Sequence, residues 1–381
     1  MKTTALRFRT LALGLAMSGS IAASLEAIDA FTDPVGYYTL SLVGGADNVV
    51  ALPMIRDAVF SGVVDNGVNP FTATSFDALA GTAAPGWTAN QWAYAAGAQA
   101  QTYYVEFTTG ALKGLYYKIA SNGTGSITLD TEGDSLLNHP LPGNLVAALA
   151  DGDSFKIRPY WRVKDIFESG GAPIIEPRTN PISPKDDILF PDYTTVGINK
   201  APSLTVYFLT GQGWRAVGQV GDYGDQILRP NESLVVRRRN AANLTVTNLG
   251  GVLMNRAVTF ISGGNGSVGN DSFFSISRPA AVSLDDSGLR IADQTTSLIK
   301  DSASSVARQD ELLVFGTPAP GAGINLAPES TYYYLAGQGW RKVGDSVTPV
   351  GQTVFLQPGV AYIVRKKAAN AGRDWVNDPN Y

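Results

Sequence analysis

Three small groups of carboxylates are the residues of this chain best suited to chemistry: Asp130, Glu132 and Asp134; Asp151 and Asp153; Asp285 and Asp286. Glycoside hydrolysis needs two carboxyl groups about 5–9.5 Å apart across a cleft. Neighbouring positions in turn-rich sequence do not create that separation, so a carboxylate-dependent glycosidase or other polysaccharide-active hydrolase stands as an alternative only. The stretch from Asp130 to Asp134 could offer hard oxygens to calcium, but it lacks the twelve-residue calcium-loop pattern and reads as a solvated turn. His139 is the only histidine. One imidazole excludes a multi-histidine zinc site, and no serine carries a nucleophile signature with which it could form a triad. The chain has no cysteine, which removes thiolate chemistry and disulfides together. The expectation is a protein without catalytic residues, bound metal or cofactor.

Gly264-Asn265-Gly266-Ser267-Val268-Gly269 satisfies the letters of a phosphate-cradling GxGxxG loop. Such a loop needs a helix N-terminus behind it. Residues 270–279 are instead a strand-like run that ends at Pro279, so a β-turn is expected.

The residues that stand out as a contact surface come in two matched sets: Gln212, Trp214 and Arg215, and Gln338, Trp340 and Arg341. Each tryptophan follows a Gly-Gln-Gly turn. Exposed, it would make a stacking platform for a sugar ring, with the amide and guanidinium as hydrogen-bonding neighbours. As the first strand residue after a hairpin turn, it would pack across the pair and fill a core. Trp87 and Trp92 sit in a further Gly-rich stretch. The basic runs Arg237-Arg238-Arg239 and Arg365-Lys366-Lys367 end equivalent strands, where charge is expected to block edge-to-edge aggregation.

These sets must be positioned by β structure. Gly and Pro together make 62 of 381 residues, about 16% against a usual ~12%, and they punctuate short runs of Val, Ile, Tyr, Phe and Thr. Residues 115–119 and 127–129 flank an Asn-Gly turn and read as a hairpin. YFLTGQGWRAVG at 207–218 returns as YYLAGQGWRKVG at 333–344, with nine of twelve positions identical. Gly197-Ile198 with Pro202 corresponds to Gly323-Ile324 with Pro328, and Leu228-x-Pro230 to Leu356-x-Pro358. The repeated unit is placed at 186–249 and 311–373, with 250–310 inserted between the copies. Residues 152–158 resemble 231–237 and suggest a third, diverged copy. The prolines from Pro173 to Pro191 mark a linker at 169–185. An N-terminal β domain at 31–168 then precedes a C-terminal region at 186–381. Residues 289–308 are the only, weak, helix candidate.

Residues 1–22 read as a secretory signal peptide: a basic start, an apolar run from Leu11 to Met17, then small residues. The cleavage point is open between Ala22 and about Ala27. Removing three basic residues from 29 leaves 26 against 33 acidic, a balance of −7. A mildly acidic chain is poorly suited to nucleic acid or anionic membrane surfaces. No later stretch is apolar enough for a membrane-spanning helix.

Asp33-Pro34-Val35-Gly36-Tyr37, the hairpin opening at Gly114, the 152–161 segment and the Gly-Trp-Arg-x-Val-Gly repeats together resemble an uncharacterised family of exported bacterial proteins, over nearly the whole mature chain. The resemblance implies export and a single-family architecture, and carries no activity with it. Relatives often end in a surface-sorting segment, which 370–381 lacks.

The expected fold is therefore all-β, built as tandem β-sandwich or small β-barrel modules. The expected role is a non-enzymatic exported component of the cell envelope or matrix, structural or glycan-contacting, with cell-surface polysaccharide or other envelope proteins as partners and its oligomeric state open. An outer-membrane β-barrel is a further alternative. Against it, the last ten residues carry Arg373, Asp374, Asn377, Asp378 and Pro379 where a membrane strand should alternate.

Overall fold

Short β-branched and aromatic runs bounded by turn residues form strands throughout a computed structural model, which describes residues 34–67, 71–130 and 145–379. The signal-peptide segment 1–22, Glu132, Asp134 and His139 lie outside the described residues. The architecture is all-β, and Val163–Phe167 is the one α-helix among the described residues. Residues 289–308 form turns around the buried Leu298 and Ile299.

Two five-stranded antiparallel sheets share one strand order. The first runs Gly213–Ala216, Leu204–Leu209, Asp187–Phe190, Ser233–Arg237, Asp47–Ala51. The second runs Gly339–Lys342, Ser330–Leu335, Glu311–Val314, Ala361–Lys366, Asn270–Ser275. Ribbons accompany each sheet in corresponding places: Val35–Leu42 with Leu244–Gly251, and Ala257–Ile261 with Arg373–Asn377. The pair Trp161–Arg162 with Ile227–Leu228 likewise matches Val282–Ser283 with Phe355–Leu356.

This pairing redraws three expected boundaries. Residues 35–51 belong to the first half and not to an N-terminal domain, because Val35–Leu42 pairs with Leu244–Gly251 and Asp47–Ala51 with Ser233–Arg237. Residues 250–310 are no insertion, since they supply the opening strands of the second half. The Pro-rich stretch 169–185 is no linker: Ile175 and Arg178 are buried, and Arg178 N donates to Phe208 O. In the second half Ser302 N makes the same bond to Tyr334 O. Proline there limits strand length without preventing packing.

Between the second strand of the first half, Asp47–Ala51, and its next, Trp161–Arg162, the chain forms a closed six-stranded barrel: Phe60–Asp65, Ser75–Leu79, Ser126–Leu129, Tyr116–Asn122, Tyr103–Phe107, Ser154–Pro159. Five of its strands follow the order of the two sheets, with the 154–159 strand, which carries the sequence echo of 231–237, in the matching place. Its apolar residues point inward, where Val64, Phe76, Val105, Phe107, Ile127, Phe155 and Ile157 fill the lumen with Trp87 and Trp92.

Each half has its own core, one around Leu40, Ile188, Val206, Trp214 and Val236, the other around Ile261, Leu312, Tyr332, Trp340 and Trp375. Because strand side chains alternate, Leu234 and Val236 enter the core while Val235 and Arg237 face away from it. The outward faces of the two sheets build the site below.

Candidate functional site

On the outward face of the first sheet, Leu189, Val235 and Val49 stand directly opposite one another on adjacent strands. Leu313, Ile363 and Phe273 form the same cross-strand row on the second. Two residues along lies a charged row on each sheet, Asp187–Arg237–Asp47 and Glu311–Arg365–Asp271. All but Asp187 and Glu311 line one cavity of about 560 Å³. That volume lies within the range of about 300–1,000 Å³ typical of small-molecule sites.

The cavity is closed by an exchange of loops. Gly197-Ile198-Asn199-Lys200-Ala201-Pro202 of the first half lies against the second, where Asp271 N donates to Gly197 O at 2.9 Å. Gly323-Ile324-Asn325-Leu326-Ala327-Pro328 of the second lies against the first, where Asp47 N donates to Gly323 O at 3.1 Å. Each loop turns at an asparagine with positive φ, 52° at Asn199 and 58° at Asn325. Asparagine tolerates this left-handed conformation better than most residues.

Each asparagine completes a clamp. Arg237 donates from Nε and Nη2 to both oxygens of Asp47, at 2.8 and 2.9 Å, and from Nη2 to Asn325 Oδ1 at 3.0 Å. Asn325 N donates to Asp47 Oδ2 at 2.8 Å. Arg365, Asp271 and Asn199 repeat this arrangement, with both Arg365–Asp271 bonds at 2.8 Å. Fork-to-fork pairing of this kind is strong and directional. It raises both guanidinium pKa values further, chiefly through the hydrogen bonds to Asp47 and Asp271.

The symmetry breaks at one position. Lys200 of the first loop stands where the second has Leu326, and both line the cavity. Lys200 Nζ donates to Thr195 O at 2.9 Å and to Asn270 Oδ1 at 3.2 Å, both neutral acceptors. Burial lowers its pKa, opposed by the nearby Asp192 and Asp271.

The residues expected to form a contact surface lie elsewhere. Trp214 and Trp340 are only 2% and 1% exposed, so neither indole offers a stacking face. Trp214 Nε1 donates to Glu168 Oε1 at 2.6 Å, and its ring packs edge-on to Phe208. Trp340 packs edge-on to Tyr334 in the same way. Gln212 and Gln338 are exposed at their turns. Arg341 is buried and tied to Trp340 O and Ser346 O, while Arg215 is half-buried and donates to Trp214 O and Gly221 O. Gln212 and Arg215 border an open depression of about 690 Å³ with Tyr207 and Val220.

The basic runs are not edge guards. Ser233–Arg237 and Ala361–Lys366 are interior strands, and the second basic residue of each run is buried against a carboxylate. Arg238 pairs with Asp186 at 2.8 Å and Lys366 with Asp310 at 2.6 Å.

The carboxylate groups remain apart. Asp130 pairs with Lys118, Asp151 accepts from Asn66 N, Asp153 from Ala150 N, Asp285 from Gln352 Nε2 and Asp286 from Ser283 Oγ. Among the described residues no three His, Cys, Asp or Glu side chains gather as a metal site would require. The GxGxxG stretch is a turn in which Asn265 Oδ1 accepts from Ser267 N and Val268 N, and the strand Asn270–Ser275 comes directly after it.

Residue type alone does not distinguish Asp47, Asp271, Asn199, Asn325 and Lys200. The readable signal is the hexapeptide pair GINKAP and GINLAP at 197–202 and 323–328, identical at five of six positions in what would otherwise be variable loops. Comparison with family models, with curated proteins and with solved structures returns no match for this chain.

Proposed function

We propose that this protein is a non-enzymatic exported component of the cell envelope or matrix that works by holding a ligand in the cleft between its two corresponding halves. The observation that carries this reading is the cleft itself: facing apolar rows from two sheets, closed by exchanged loops whose asparagines complete clamps around the strand carboxylates Asp47 and Asp271. Asp47 and Asp271 each give both oxygens to an arginine and one also to a backbone N–H, which favours a fixed wall over acid–base work. The signal-peptide reading supports export, and the apolar lumen of the six-stranded barrel favours a water-soluble module over a membrane one.

The test is a thermal-shift panel of soluble envelope polysaccharides and small amphiphiles on the mature chain and on Ala327→Trp. Ala327 is exposed on the cleft rim, so the indole plugs the space without disturbing a core. A ligand that raises the wild-type melting temperature and not that of the variant is the expected result. Equal shifts in both proteins, or no shift with any compound, would remove the cleft from the reading.

The depression beside Gln212 and Arg215 favours polysaccharide contact as a second reading, without tryptophan stacking. Polysaccharide retention lost in Gln212→Ala with Arg215→Ala, and kept in Ala327→Trp, would select it.

A further inference from the structure

We infer that the cleft takes an elongated apolar molecule carrying one carboxylate, with the carboxylate at the Lys200 end and the chain running toward Leu326. This rests on the cleft reading above and names its ligand class. The two sheets supply walls of matching character, Leu189–Val235–Val49 facing one way and Leu313–Ile363–Phe273 the other. A small molecule between them gains by removing apolar surface from water along its whole length. The polar groups then decide its direction.

At the Leu326 end the charges cancel. Asp47 is matched fork-to-fork by Arg237, and the loop offers only aliphatic surface. At the other end Asp271 is matched by Arg365 in the same way, so the Lys200 ammonium stands in excess of the local pair. The remaining carboxylate near it, Asp192, accepts from Thr194 N, Thr194 Oγ1, Thr195 N and Thr195 Oγ1, and gives no hydrogen bond acceptor to the lysine. An ammonium has three donors, and two of those of Lys200 go to neutral oxygens. Asp192 and Asp271 act on this half-buried ammonium through space while its hydrogen bonds go to neutral oxygens, and a carboxylate arriving along the apolar walls supplies a direct charged partner. Arg365 contributes further, because its bonds to Asp271 and Asn199 use Nε and Nη2 and leave the Nη1 edge for a second contact. The combination of aliphatic walls with a single cationic end separates this ligand from a sugar, which would need hydroxyl partners along its length, and from a dianion, which would need a cation at both ends.

The experiment uses the mature full-length chain with n-decanoate, n-decanol and a decyl ammonium salt as probes, below their aggregation limits, in isothermal titration calorimetry. Decanoate is expected to bind about tenfold or more tightly than decanol, and the ammonium salt weakest. Lys200→Leu, which installs the residue of the other half, is expected to bring decanoate down to the level of decanol while leaving decanol unchanged. Adding Leu326→Lys to that variant is expected to restore the preference for decanoate, with melting temperatures confirming that each variant folds. Decanol binding as tightly as decanoate, or decanoate binding unaltered by Lys200→Leu, overturns the inference. Binding of a different ligand class that Ala327→Trp blocks, with no binding of decanoate, overturns it too while leaving the cleft reading in place. Loss of neither probe in Ala327→Trp counts against both.

Discussion

Arg237 and Asn325 belong to opposite halves of the molecule and are 88 residues apart, yet Arg237 Nη2 donates to Asn325 Oδ1 at 3.0 Å. Arg365 and Asn199 make the reciprocal bond at the same distance across 166 residues. Each half is thereby held by a loop of the other, and the cleft walls cannot separate without breaking both clamps.

The asparagines should therefore matter for stability in a graded way. Asn325→Ala loses the side-chain bond and places a Cβ-bearing residue without local compensation at φ 58°, for about 2 kcal/mol in all. Asn325→Gly loses the bond but keeps the backbone at ease, at about 1 kcal/mol. Urea denaturation of both, beside the Asn199 equivalents, checks this; equal losses for Ala and Gly would mean that backbone conformation contributes nothing.

Trp214 and Trp340 should behave as core residues. Either change to alanine should cost about 3–5 kcal/mol, the usual range for a buried large aromatic. Trp214→Phe should cost more than Trp340→Phe, because it also leaves Glu168 without its indole donor. Acrylamide quenching compared across the single variants would show little accessible emission from either ring, and strong quenching would contradict their burial.

Asp310 should be the costlier of the two buried carboxylates to remove. Lys366 and Asp310 are both fully buried, and Asp310 also accepts from Lys300 N, Lys367 N and Asn370 Nδ2. Asp310→Ala leaves an ammonium stranded in the core, at about 3–5 kcal/mol. Measured melting temperatures for Asp310→Ala and Asp186→Ala test the order. Each cation keeps one backbone carbonyl, Leu298 O for Lys366 and Ala242 O for Arg238. The compact Lys366 ammonium is fully buried and more strongly hydrated when free than a guanidinium, so its loss of a carboxylate costs more.

The pH dependence comes from the direction of the Lys200 shift. Burial lowers its pKa below the ordinary 10.5, with Asp192 and Asp271 opposing and Arg365 close by. Decanoate needs the ammonium, so its affinity should be full near neutral pH and fall as pH rises through the lowered pKa, before 10.5. For folding of the free chain the sign reverses. The unfolded state holds this proton more tightly, so the lysine disfavours folding most while charged in both states, and stability rises with pH between the folded pKa and 10.5. Lys200→Leu should flatten both profiles; decanoate affinity constant up to pH 10.5 would show that the ammonium is not the partner.

The sequence by itself determined the elements and their kinship. Strand–turn–strand units around Gly-Gln-Gly and Asn-Gly follow from local backbone preferences, and the all-β architecture follows from β-branched runs too short for helices. The repeated letters at 207–218 and 333–344 likewise fall on equivalent strands. Tertiary structure alone decided where the halves begin and where they meet. Residues 35–51 look like the start of an N-terminal domain because 60–159 separates them from their partners, and sheet pairing across such a distance leaves no local trace. Trp214 and Trp340 could have faced either way until the alternation of their strands was anchored to a core. Arg237 reads as strand-end charge because its partner Asp47, 190 residues away, reaches it only through strand pairing within the first sheet. Lys200 carries no local signal because Asn270, 70 residues away, comes close only when the two sheets turn their outward faces together.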